Sequence, residues 1–325
     1  MAMDQHHQPP AITIPPVPSQ TYLHHTTLQP RPKLILIGDS ITEQGSSHAH
    51  GWVTSLSIRY NRRLDVINRG MNGYNSKWGL AALPLILEEI LGPAVSIIDG
   101  DDECIAKDTE DDDQKQKECT RDAQQQTSAT SKEQVYPQYT FIIGYGANDS
   151  ALSNGAHSRH HIPIHEYTSN LKQMTKTIQT WNTKNVAVAL LTPPPCDTTI
   201  QSKSRDNEHV TRLYAEACKQ VATEMNVPVV DLWNGMQLPI VKDSKEDDVD
   251  IALYKNNEQW KVDYLSDGLH LTPMGNYRLY ELVVEMLDEY VGLSVTKLPR
   301  SYPDHSTIDV TDPAHTFGTS NTLFR

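Results

Sequence analysis

The stretch KLILIGDSIT, Lys33 to Thr42, decides the fold. Its first five residues are short, β-branched or leucine, and uncharged after Lys33, which is the composition of a strand buried on both faces. The run stops at Gly38-Asp39-Ser40, so a hydroxyl is delivered to the end of a strand. Open α/β sheets keep their ligands at that carboxyl edge.

Beyond Lys33 the chain alternates between strand-like and helix-like patterns. Asp65–Asn68 (DVIN), Tyr139–Tyr145, Val186–Leu191 and Val227–Leu232 read as four further strands. Between them, Gly51–Leu64 and Trp78–Leu91 read as helices. Ile164, Tyr167, Leu171, Met174, Ile178 and Trp181 recur at helical spacing, as do Val210, Tyr214, Ala217, Val221 and Met225 within 207–225. A last helix is expected from Thr272-Pro273, an N-cap followed by proline at the first helical position. Residues 234–265 show no sustained period and are expected to be mostly loop. Strands separated by helices imply an α/β fold with a five-stranded parallel sheet covered on both faces.

Two segments depart from this pattern. Residues 1–32 hold seven of the twenty prolines and no periodicity, the composition of a disordered tail. Residues 101–134 carry eleven acids against five bases and little that is apolar, so a disordered acidic insert is expected there. Without them roughly 260 residues remain, enough for one α/β domain over 33–300 with an extension over 301–325.

The net charge of −13 comes with no basic stripe, which argues against a nucleic-acid partner. No run of about 18 apolar residues is present to span a membrane. The start of the chain shows no signal-peptide pattern, and Cys104, Cys119, Cys196 and Cys218 form no CxxC pair; a cytosolic protein with reduced thiols is expected.

Ester hydrolysis needs a nucleophile, a base and donors for the charge on the carbonyl oxygen. Ser40 is the candidate nucleophile, and DGLH (Asp267 to His270) offers His270 as base with Asp267 to orient it. Candidate oxyanion donors are the N–H groups of Ser40 and Gly73 and the amide of Asn148 in GAND. Asp149 is the rival partner for His270, but the DxxH spacing favours Asp267. Asp39, beside the serine, is assigned a structural hydrogen bond. His157, His160, His161 and His165 have no Asp, Glu or Cys at ligand spacing and read as solvated loop histidines rather than a metal site. Taken singly, each block also fits an ordinary turn or cap; four in order, each after an appropriate element, favour catalysis.

GDSIT, the glycine of NRGMNGYNS, GANDS and LSDGLHLTPMGN together resemble the four blocks of the GDSL, or SGNH, hydrolases over roughly Lys33 to Tyr290. The local wording is most similar to the isoamyl acetate-hydrolysing esterases. That resemblance implies a three-layer α/β/α, flavodoxin-like fold, with Ser40, Asp267 and His270 as triad and Ser40, Gly73 and Asn148 as oxyanion hole. It also implies short-chain carboxylic esters as substrates, no cofactor, and permits a homodimer. The C-terminal LPRSYPDHSTIDVTDPAHTF belongs to the same likeness and is expected to pack near the site; residues flanking Trp52, Met71 and Tyr74 are candidates to shape the pocket. The N-terminal tail and the acidic insert depart from the family pattern. Carbohydrate deacetylase, lysophospholipase or thioesterase activity on the same fold, and a silent binding protein, are the alternatives.

Overall fold

The computed structural model describes residues 30–94, 136–182, 185–240, 251–312 and 316; the expectations for residues 1–29 and 101–134 lie outside these. Five strands form one parallel sheet: β1 Lys33–Gly38, β2 Asp65–Gly70, β3 Tyr139–Gly144, β4 Val186–Leu191 and β5 Val229–Val230, in the order β2-β1-β3-β4-β5. This is the flavodoxin-like order, whose chain reversal places the ends of β1 and β3 at the crevice where ligands bind. Lys33 pairs with Asp65 on one side and Tyr139 on the other, and Gly38 with Gly70 and Gly144. The three strand ends therefore finish level.

The helices are α1 Ser40–Gln44, α2 Trp52–Arg59, α3 Ser76–Leu91, α4 Ile164–Thr180, α5 Thr198–Gln201, α6 Arg212–Glu224, α7 Leu232–Gly235, α8 Ile251–Asn256, α9 Trp260–Tyr264 and α10 Pro273–Met286. Alternation along β1 explains why both faces are covered. Leu34 and Leu36 enter a core with Trp52 and Leu56 of α2, Tyr60 just after it, and Leu279, Val283 and Met286 of α10. Ile35 and Ile37 enter another with Leu83 and Leu87 of α3, Leu171 and Met174 of α4, and Val221 of α6. The expected three-layer α/β/α architecture is the one observed.

Several boundaries differ. The helix expected over Gly51–Leu64 stops at Arg59, because Arg62 takes a left-handed φ of 63°. The helix expected from Trp78 starts at Ser76, since the Asn75 side chain accepts from the N–H of Trp78 and caps it. One wide turn at 207–211 precedes α6. Thr272 caps α10 through the N–H of Gly275, with Pro273 behind it as expected.

Two expectations are corrected. Among the described residues of 234–265, the end of α7 with α8 and α9 covers more than half, so helix stands where loop was expected, and Trp260 and Tyr264 are buried in the same core as α10. Residues 241–250 lie outside the described set. The C-terminal stretch does not begin its course near the serine. Arg62 donates to the carbonyls of Ser301, Tyr302 and Pro303, and buried Arg63 donates to that of Leu298. Both arginines immediately precede β2, so residues 298–303 lie at the opposite edge of the sheet from Ser40.

Candidate active site

Asp39 turns the chain out of β1. Its carboxylate accepts the N–H of Ile41 at 2.9 Å and caps α1, the structural role expected for it. Ser40 thereby becomes the first residue of a helix, where an N–H has no intrahelical partner. Trp52 is fully buried and its indole N–H donates to the Ile41 carbonyl at 3.0 Å, fixing α1 from below. Trp52 itself is core. Met71 and Tyr74 are partly buried against the other core.

The DGLH segment arrives 230 residues later. His270 Nε2 lies 3.0 Å from Ser40 Oγ, and His270 Nδ1 lies 2.7 Å from Asp267 Oδ2. The other Asp267 oxygen accepts the N–H groups of Leu269 and His270 at 3.0 and 2.8 Å. Gly268 allows this tight loop with a φ of 84°, and an added Cβ there would meet Ile200. Hydroxyl, imidazole and carboxylate stand in one hydrogen-bonded series. Partial burial works to raise the Asp267 carboxyl, but the side-chain and backbone hydrogen bonds to His270 outweigh it and hold it below its usual range.

Two more loops meet at this edge. Gly73 adopts a φ of 75° with open space where a Cβ would stand, and its N–H has no acceptor among the described residues. The neighbouring Asn72 N–H donates to Glu43 of α1 at 2.6 Å, tying this loop to the one that carries Ser40. Asn148, buried, donates one amide hydrogen to the Tyr74 carbonyl at 2.9 Å. An amide carries two such hydrogens, so a second is left for a ligand.

Asp149 does not approach His270. Both its oxygens accept the N–H of Ser76, at 3.0 and 3.1 Å, at the start of α3. Burial raises its carboxyl to about 7 against those hydrogen bonds, with the charge of Asp39 adding to the rise. Burial likewise lifts Asp39 to about 6, opposed by the Ile41 N–H, Arg205 and His270. Of the loop histidines, His160 packs edge-on to Trp78 and His161 Nδ1 meets the Ala151 carbonyl at 2.7 Å. Among the described residues no three His, Cys, Asp or Glu side chains are grouped to hold a metal. No helix described is long and apolar enough to cross a membrane.

Reasoning from sequence missed the segment after β4. Cys196 and Leu269 form a small buried apolar cluster with Ala147, beside Asn148 and His270. The run PPPCDTT carries no periodic signal, so nothing in it marks residues that bridge two loops.

A parallel sheet of flavodoxin-like order, with serine, imidazole and carboxylate in series at its ligand edge, is the frame of a carboxylic ester hydrolase. The chain belongs to the GDSL-like lipase/acylhydrolase family, whose model matches residues 36–278. It is 31% identical to an isoamyl acetate-hydrolyzing esterase 1 homolog of Rattus norvegicus, over 87% of this chain and 90% of that one. A GDSL esterase/lipase of Arabidopsis thaliana is 29% identical, over 88% and 98%. Among solved structures, the lipase/acylhydrolase from Enterococcus faecalis aligns with a TM-score of 0.49 at 20% identity, covering 84% of this chain and 100% of that one.

Proposed function

We propose that this protein is a serine esterase that hydrolyses short-chain, acetate-type carboxylic esters through an acyl-enzyme intermediate. The observation that carries the reading is the series Ser40–His270–Asp267, with contacts of 3.0 and 2.7 Å. His270 Nε2 takes the proton from Ser40 Oγ as the oxygen attacks the ester carbonyl. The N–H groups of Ser40 and Gly73 and the free amide hydrogen of Asn148 receive the oxyanion. Collapse breaks the bond to the alcohol, which leaves with the proton from His270. Water, deprotonated by the same imidazole, then attacks the acyl-serine and releases the acid. Asp267 accepts from Nδ1–H throughout, keeping Nε2 free to act as base.

One observation favours a small acyl group: the relatives that align over most of the chain include proteins named for isoamyl acetate hydrolysis. The test is hydrolysis of aryl esters from acetyl to decanoyl by wild type and Ser40→Ala in parallel, followed by isoamyl acetate. Expected is a rate that peaks at acetyl to butyryl and falls by at least about a thousandfold in the variant. A peak at long acyl chains refutes the substrate class; undiminished turnover by Ser40→Ala refutes the nucleophile.

A further inference from the structure

The segment between β4 and α6 holds two of the site's loops at once. The N–H of Asp197 donates to the Gly268 carbonyl at 2.8 Å, and the Gln201 amide donates to that of Asp267 at 2.9 Å. On its other side, the carbonyls of Lys203 and Ser204 accept the N–H groups of Ala156 and Leu152, each at 2.8 Å. Arg205, in the same segment, donates through Nη1 to the carbonyl of Ala147, the residue before Asn148.

Arg205 is an expensive residue to place there. It is 3% exposed, its Nε has no partner, and among the described residues no carboxylate pairs with it. A buried cation without a salt bridge gives up its hydration with little to offset it. Burial pushes the guanidinium down from its usual range, opposed through space by Cys196, Asp39, Asp267 and Asp149. Among the described residues the acceptor of its hydrogen bond is the loop carbonyl of Ala147.

We propose that Arg205 is a positioning residue for ester hydrolysis, fixing the peptide between Ala147 and Asn148 so that the Asn148 amide meets the oxyanion. The carbonyl of Ala147 and the N–H of Asn148 lie in one rigid peptide plane. Anchoring the oxygen sets the plane, and the plane sets where the Asn148 side chain begins. Asn148 is then held at both ends, by Arg205 through its backbone and by the Tyr74 carbonyl through its amide. This inference rests on the proposed role of Asn148 in the oxyanion hole.

The experiment is a double-mutant cycle with Arg205→Met and Asn148→Ala, read as kcat and KM on an acetyl aryl ester, with Arg205→Lys as the conservative variant and a thermal melt for each protein. Losing an oxyanion donor costs about 10²–10³ in kcat. Arg205→Met is expected to lose about ten- to a hundredfold in kcat with KM nearly unchanged, and Arg205→Lys to recover part of it. In the Asn148→Ala background the same change is expected to cost less than about threefold, because the group it positions is gone. Equal losses in both backgrounds, or a loss carried by KM, overturn the proposal while leaving Asn148 in its role. An Asn148→Ala variant with wild-type kcat overturns the oxyanion reading itself, and the proposal with it. If Arg205→Met does not fold, Arg205→Lys carries the same cycle.

Discussion

Replacing Asp267 by asparagine alters one hydrogen bond at the site and preserves the others. The asparagine carbonyl can take the place of Oδ1, which accepts from Leu269 and His270 at 3.0 and 2.8 Å. Its NH₂ group then faces His270 Nδ1, where a carboxylate oxygen stood at 2.7 Å. A donor there makes Nδ1 an acceptor and moves the imidazole proton to Nε2, the nitrogen 3.0 Å from Ser40 Oγ. Nε2 can no longer take the serine proton. A wrong tautomer of this kind costs about 10⁴ in kcat, or about 5 kcal/mol of activation free energy. Stability should barely change. The Asp267 side chain is 53% exposed, so its pairing with His270 contributes less than about 1 kcal/mol. The assay is steady-state hydrolysis of an acetyl aryl ester beside a thermal melt. Activity within about tenfold of wild type, with an unchanged melt, would show that Asp267 does not set the tautomer.

Two further outcomes follow from single residues. Gly73→Ala has room for its methyl group but must hold a φ of 75°, so it should lose about 1–2 kcal/mol of stability by denaturant titration. Because the N–H survives, its kcat should fall far less than that of Asn148→Ala. Asp149 is raised to about 7 by burial, so the folded state holds a proton that the unfolded chain releases near pH 4. The favourable contribution is complete below about pH 4 and is lost as pH rises through about 7. Asp149→Asn should flatten the melting temperature across that window, and an unchanged pH profile would refute the assignment.

How far the sequence could be read depended on what each segment buries. β1 is sealed on both faces, so Leu34 to Ile37 form an uninterrupted apolar run bounded by Lys33 and Gly38, the signature of a buried strand. The residues at its end were legible for a related reason: Ser40, Gly73, Asn148 and His270 each follow a strand or precede a helix whose pattern is clear. α8 and α9 were not legible, because each is too short to show a period and few of their residues are buried. Trp260 and Tyr264 look like loop aromatics until α10 is seen beside them. Arg205 was hidden for a different reason. It stands in a polar run, and a solvated arginine and one buried against a loop carbonyl read alike. The same applies to Arg62 and Arg63, whose partners lie more than 230 residues away.

The underside of the sheet is where this chain comes and goes. Gln138, just before β3, donates to the carbonyls of Pro30 and Arg31 where the chain enters, while Arg62 holds residues 301–303 beside β2. α3 runs back to the same rim, where the Gly92 carbonyl accepts the indole N–H of Trp181. The points at which residues 1–29 and 95–135 join the described fold, and the run 301–303, thus face away from Ser40. Extra sequence grafted at any of these joints is separated from the reacting atoms by the full length of a strand. Such a layout lets the polypeptide gain, lose or exchange appendages, or carry a fusion partner, while the opening through which an ester must pass keeps its shape.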